Sequence, residues 1–470
     1  MGKKQILKKY IGDREFYRKL RKIMIPVLIQ NVITNFVSML DNIMVGRVGT
    51  EQMSGVAISN QILFVFNLCI FGGLAGAGIF TAQFYGKKDD EGVRATFRAK
   101  IWAAGGILLA GMIIVAALGE NIISQFIHEG KDNLDMAATL AYGKRYLSVM
   151  FFQMPLFAIL NVYSSTLRET GDARLPMRAG IAAVGVNLLF NYMLIYGKLG
   201  APKLGVVGAA IATVISRVAE CVIVIGKTHI RSDKPSYIRG IYSTIRVPGN
   251  LAKNIFVKGF PLLINELLWS SGMTLVNQIL SLKGLEVVSA ENISTTVSNL
   301  FFCAFFATGT SISIIIGQLL GAGELEKAVD EDRKLLAFSV ALCTVVGAVM
   351  IAMAPLFPRI YNTTDIVRNL AAKMLTIAAI MMPFNAFSHG SYFTLRSGGK
   401  VFVTFLFDSG FVWAVSIPLT LALVKLTDMP IVPVYFISYA ADAIKCIIGY
   451  FLIKSRVWVN NIVGSDETPA

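Results

Sequence analysis

Hydrophobic residues along this chain gather into twelve runs separated by short polar stretches. They lie at roughly 23–46, 53–83, 101–127, 140–167, 176–197, 205–226, 255–282, 288–320, 335–358, 368–395, 402–426 and 431–453. A helix needs about 20 residues to cross the hydrocarbon of a bilayer. The longest runs exceed that, so they tilt, bend or extend beyond it. The pattern predicts an all-α polytopic membrane protein with twelve transmembrane helices.

The pattern also repeats. Shifted by 235 residues, Pro26 meets Pro261 without a gap, Asn42 meets Asn277, Gln83 meets Gln318 and Gly86 meets Gly321. Further on the shift is 228: "TLRETGD" (166–172) meets "TLRSGGK" (394–400), and Pro155 meets Pro383. Near the end it is 222, and Glu220 meets Asp442. Two six-helix halves follow, each entering from the same side. They are therefore parallel repeats around a central cavity, a secondary-transporter plan. The expected domains are a basic segment 1–22, a lobe 23–226, a linker 227–254, a lobe 255–453 and a tail 454–470.

Composition agrees: 55% of residues are hydrophobic and 16% charged, against about 25% charged in soluble domains. The net charge of +15 would suggest nucleic acid in a soluble protein. Here topology explains it, and no nucleic-acid partner is expected. With the first segment inside, 31 of the 44 Lys and Arg fall on the cytoplasmic side and 11 outside. This bias places both termini in the cytoplasm, and the plasma or inner membrane is the expected location. No cleavable signal is expected, because the first apolar run is too long for one. The five cysteines lie in apolar runs and read as small hydrophobes, with no metal or disulfide spacing.

No phosphate loop supplies energy. The nearest match, "CVIVIGKT" (221–228), has Cys221 where the first glycine is needed. The chain is not expected to be an enzyme or to hold a cofactor; its energy would come from an ion gradient (H+ or Na+), from the substrate's own gradient or from another subunit. Intramembrane ionisable groups are then the natural coupling candidates. Asp41 stands inside "FVSMLDNIMVG" (36–46), roughly 27 Å from the inner end of its helix at 1.5 Å per residue. In the repeat its position is Val276, so the symmetric scaffold does not require the charge. Arg217 and Glu220, and likewise Asp442 and Lys445, stand three apart and read as pairs within one helix face.

The runs "PVLIQNVITNFVSMLDNIMVG", "AQFYGKKDDEGVR", "GQLLGAGELEKAV" and "TLRETGDARLPM" together resemble the multidrug and toxic compound extrusion (MATE) family. The resemblance spans about residues 20–455. It implies a twelve-helix antiporter that exports small organic cations or amphipathic drugs by alternating access, working as a monomer. The same superfamily contains flippases for lipid-linked saccharides, the alternative reading.

The resemblance also implies a cation site in the first lobe. It joins Asp41 to Asn187 and Asn191 of the fifth helix and Thr213 of the sixth. Asn191 stands where the family often has Asp. For the second lobe the candidates for cation or substrate are Glu266, Asn385, Asp408 and His389. There the family's usual helix-ten Asp is replaced by Asn385. Around the repeat-related prolines, "FFQMPLF" (151–157) and "MMPF" (381–384) supply Gln153, Met154, Phe157, Met382 and Phe384 as candidate cavity lining. Pro155 and Pro383 are expected to bend their helices.

Overall fold

The computed structural model describes residues 9–126, 135–232, 235–361 and 363–464. Among these no strand occurs. The long helices are α1 (Arg14–Gly46), α2 (Thr50–Lys87), α3 (Asp90–Phe126), α4 (Met136–Met150), α5 (Gln153–Glu169), α6 (Arg174–Tyr196) and α7 (Val206–Ile230) in the first half. The second half holds α8 (Gly249–Ser281), α9 (Leu285–Gly321), α10 (Leu325–Met353), α11 (Asp365–Ser397), α12 (Val401–Phe405), α13 (Ile417–Leu426), α14 (Ile431–Ala440) and α15 (Asp442–Lys454).

Ten of the described spans are long and apolar enough to cross a membrane, and an eleventh counts if α4 and α5 are one bent span. Of the twelve expected spans, α8 falls outside this set; its apolar run is diluted by Asn265, Glu266, Ser270 and Ser271. Several helices start earlier than their apolar runs. α3 begins at Asp90 and α10 at Leu325, because charged first turns continue the helix past the hydrocarbon edge.

The fourth run breaks as its proline predicts. α4 and α5 meet at 45°, and Pro155, just inside α5, cannot donate to the carbonyl of residue 151. Its partner Pro383 lies inside α11, which continues without a break from Asp365 to Ser397. The repeat in sequence is thus not a repeat in where the helix is broken. The eleventh run is also irregular: between α12 and α13 it winds as π-turns over Leu406–Gly410 and Val412–Ser416.

The chain packs as two compact units that differ from the expected lobes. The N-terminal unit is Ile29–Thr81 with Asp90–Gly259; the C-terminal unit takes residues 9–28, Ala82–Asp89 and the chain from Phe260 onward. In the C-terminal unit the end of α2 crosses the end of α9. A Cβ on Gly86 would strike the Gln318 backbone carbonyl, and one on Gly321 would strike that of Gln83. The repeated glycines permit this reciprocal approach. The described part of the expected tail, 454–464, is packed as well. Trp458, Ile462 and Val463 are buried, and Gln83 Nε2 donates to Ser397 O (3.0 Å) while its Oε1 accepts from Ile462 N (2.9 Å).

In the N-terminal unit the described part of the expected linker is docked. α7 runs on to Ile230, and the connector lies along one face of α3. Arg94 Nε donates to Tyr237 O (3.1 Å), Arg98 Nε to Ile241 O (3.1 Å) and Trp102 Nε1 to Ile245 O (3.0 Å). These three side chains stand four apart, one per helical turn. On the opposite side of α3, Lys100 is fully buried and ion-paired to Glu169 at 2.5 Å.

Candidate cation and substrate site

The N-terminal unit brings together the four residues expected there. Asn187 and Asn191 project from one face of α6 and are buried. Asn191 Nδ2 donates to Asp41 Oδ1 at 2.6 Å and to Asn187 Oδ1 at 3.0 Å. Asn187 Nδ2 donates to Thr213 Oγ1 at 3.4 Å, and that hydroxyl donates to Ala209 O at 3.0 Å. Donation thus runs outward from Asn191, one way to the carboxylate of α1 and the other through Asn187 to the Thr213 hydroxyl of α7. Asn191 Oδ1 is buried with no hydrogen-bond partner among the described residues. Such an orphan carbonyl oxygen suits a hard cation or a proton donor.

Two groups whose influence was not expected from sequence lie within electrostatic reach of the same carboxylate. Tyr146, buried in α4, lies within electrostatic reach of Asp41, and its hydroxyl donates to Asn60 Oδ1 at 3.1 Å. Arg217 also acts on Asp41, while its guanidinium pairs with Glu220 at 2.7 Å as the spacing predicted. Neither Tyr146 nor Asn60 carries a sequence signal beyond being polar in an apolar run.

The C-terminal unit arranges its candidates differently. Glu266 accepts from the Tyr392 hydroxyl at 3.3 Å. Asp408 is held on both oxygens: Lys445 Nζ is 3.3 Å from Oδ1, and Asn265 Nδ2 donates to Oδ2 at 3.1 Å. Lys445 therefore reaches across to Asp408, and the expected ion pair with Asp442 on its own helix does not form among the described residues. Asn265, fully buried beside the conspicuous Glu266, was not expected. Asn385 is half-buried and makes no hydrogen bond to this network among the described residues. His389 is walled by the rings of Phe305, Phe306, Phe393 and Tyr392, at 5.0, 4.9, 5.3 and 6.0 Å. It sits in an aromatic box instead of an aqueous path. Val276, at the repeat position of Asp41, is buried in an apolar cluster with Met374 and Val412.

The expected lining residues divide. Met154 and Met382 are wholly buried and Gln153 nearly so. Met382 packs against Cys343, Met350 and Ala386. These three are core residues in this structure. Phe384 is 43% exposed, and Phe157 is half-buried with the Arg217 guanidinium 5.9 Å from its ring centroid. Among the described residues no group of three or more His, Cys, Asp or Glu could hold a metal ion, and the five cysteines are free.

The family model MatE matches residues 26–193 and 261–420, two stretches that begin at the repeat-related prolines. A relative from Thermotoga maritima, named as a probable multidrug resistance protein NorM, is 25% identical and aligns over 96% of this chain and 95% of its own. One from Bacillus subtilis, the probable multidrug resistance protein YoeA, is 22% identical over 92% of each chain. Among solved structures, an outward-facing multidrug resistance MATE family transporter of the MOP superfamily superposes with a TM-score of 0.83 at 18% identity, over 97% of this chain and 98% of the other. The D35N mutant of the Vibrio cholerae MATE transporter VcmN gives 0.82 at 17% identity, over 95% and 98%.

Proposed function

The chain belongs to the MatE family of membrane transporters, and from that premise we propose that it exports organic cations or amphipathic drugs from the cell. Inward flow of protons or sodium ions drives the export. The names of the relatives support a drug exporter over a lipid-linked saccharide flippase. The protein works as a monomer in the cell membrane with both termini in the cytoplasm, the orientation that the Lys and Arg bias supports.

The observation that carries the coupling reading is the bond between Asn191 and Asp41 at 2.6 Å, beside the unpartnered Asn191 Oδ1. The ionised carboxylate accepts the amide hydrogen. A sodium ion arriving there finds the carboxylate and the amide oxygens of α6. A proton arriving there turns Asp41 into a donor, which Asn191 Oδ1 is free to accept. Either cation removes the negative charge that otherwise holds α1 against this polar face. Alternating access of a central cavity then follows from which cation, coupling ion or drug, occupies the site. Dye efflux from proteoliposomes under an imposed gradient tests this. Asp41→Asn should abolish efflux in a protein that still folds, and full efflux by that variant would overturn the assignment. Proton and sodium gradients applied separately name the ion.

A further inference from the structure

Lys445 is a buried lysine in a membrane-spanning helix, only 7% exposed. A lysine at that depth needs an oxygen partner or a path to water. Its stem is packed and its ammonium turns inward. There it meets Asp408 Oδ1 at 3.3 Å and stands 5.5 Å from the centroid of the Phe411 ring. Asp408 is itself fixed. Its second oxygen accepts from Asn265, which is fully buried. Asn265 in turn accepts from Ser409: the Ser409 hydroxyl donates to its backbone carbonyl at 2.7 Å and the Ser409 N–H to Oδ1 at 3.3 Å.

The partner chosen is informative. Arg217 in the first half pairs with the acid three residues away on its own helix. Lys445 has the same opportunity in Asp442, yet crosses to Asp408. Asp408 lies on the first of two π-turns. Such turns are rare overall and frequent at functional sites. The ammonium, the carboxylate, the amide and an aromatic face together make a cation-binding arrangement whose cation is covalently attached.

We propose that Lys445 is a tethered cation filling a cation site in the C-terminal half, and that it bars free ions and organic cations from Asp408. The inference rests on the cation-exchange reading above and deepens it. A tethered ammonium acts at an effective concentration of at least the millimolar order, so a free cation must displace it to bind. The two halves then differ in kind: Asp41 is open to an external cation, whereas Asp408 is supplied from within. Lys445 is in this sense a specificity residue, confining exchange to one carboxylate.

The test is chemical replacement of the missing ammonium in the full-length purified protein. Lys445→Ala is melted with ethylammonium chloride, with sodium chloride and with ethanol. Ethylammonium should raise the unfolding midpoint of Lys445→Ala by about 3 °C or more beyond the rise in the native protein, whose Asp41 is open to the same cation. Ethanol should not, and Lys445→Ala/Asp408→Asn should respond only as the native protein does. No cation-dependent rise in Lys445→Ala, or an equal rise in the native protein, would overturn the proposal. If Lys445→Ala does not fold, Lys445→Met keeps the packed stem. Equilibrium binding of radioactive sodium should then show one more ion per chain than the native protein, lost again with Asp408→Asn. No additional ion overturns the proposal. Neither readout involves transport, so a failure here is distinct from a failure of the Asp41 efflux test.

Discussion

Asn191 gives one amide group to both Asp41 Oδ1 and Asn187 Oδ1, at 2.6 and 3.0 Å, so a single side chain joins the carboxylate of α1 to the polar face of α6. Asn191→Leu keeps the volume and removes the donors. Hydrogen bonds to charged groups contribute about 1.5–3 kcal/mol, so the expected loss in initial efflux rate is about tenfold or more, with the protein still folded. An unchanged rate in proteoliposomes would mean that the amide does not tune Asp41.

The reciprocal glycine crossing sets a stability prediction. A methyl group on Gly86 or Gly321 meets a backbone carbonyl, which cannot swing aside as a side-chain tip can. Gly86→Ala and Gly321→Ala should each cost about 1–3 kcal/mol, the range for overpacking. Gly105 and Gly106 in α3 have open space where a Cβ would go. Alanine there should be neutral or add up to about 1 kcal/mol of helix propensity. Melting the four variants in one detergent separates the two classes, and equal shifts would contradict the crossing.

Lys100 and Glu169 allow a double-mutant cycle. The Lys100 ammonium contacts Glu169 Oε2 at 2.5 Å, Ser165 Oγ at 3.1 Å and Thr166 Oγ1 at 3.0 Å, and the side chain is fully buried. Lys100→Met removes the ammonium paired with Glu169 and should cost about 3–5 kcal/mol; Lys100→Met/Glu169→Gln should recover most of it. If the double variant is no more stable than the single one, the pair is not coupled.

Much of this was legible in the sequence. Apolar runs alone give the helices within a few residues at most ends, and the constant offset of Pro26 and Pro261 gives the repeat. Asp41 is legible because a carboxylate within an apolar run needs a reason, and the family resemblance supplied Asn187, Asn191 and Thr213. The second half was less legible because its key contacts are between helices. Spacing pairs Lys445 with Asp442, three residues away, but cannot foresee the π-turns that carry Asp408. Asn265 was overlooked because an amide beside Glu266 has no pattern of its own. Met154 and Met382 illustrate the converse limit: flexible apolar side chains suit a binding surface and a packed core equally, and only burial distinguishes them.

The exchange of segments between the two units has a consequence for the order in which they can be completed. Every stretch of the N-terminal unit has been synthesised once Gly259 is made. The C-terminal unit needs residues 9–28, among the first translated, together with Trp458 and Val463, among the last. Domains generally fold as units while the chain emerges. The first half of α1 must therefore remain without its final neighbours through most of translation. A split chain divided within 227–254 would separate these residues from the unit they complete, so its two fragments would have to reassemble to regain it.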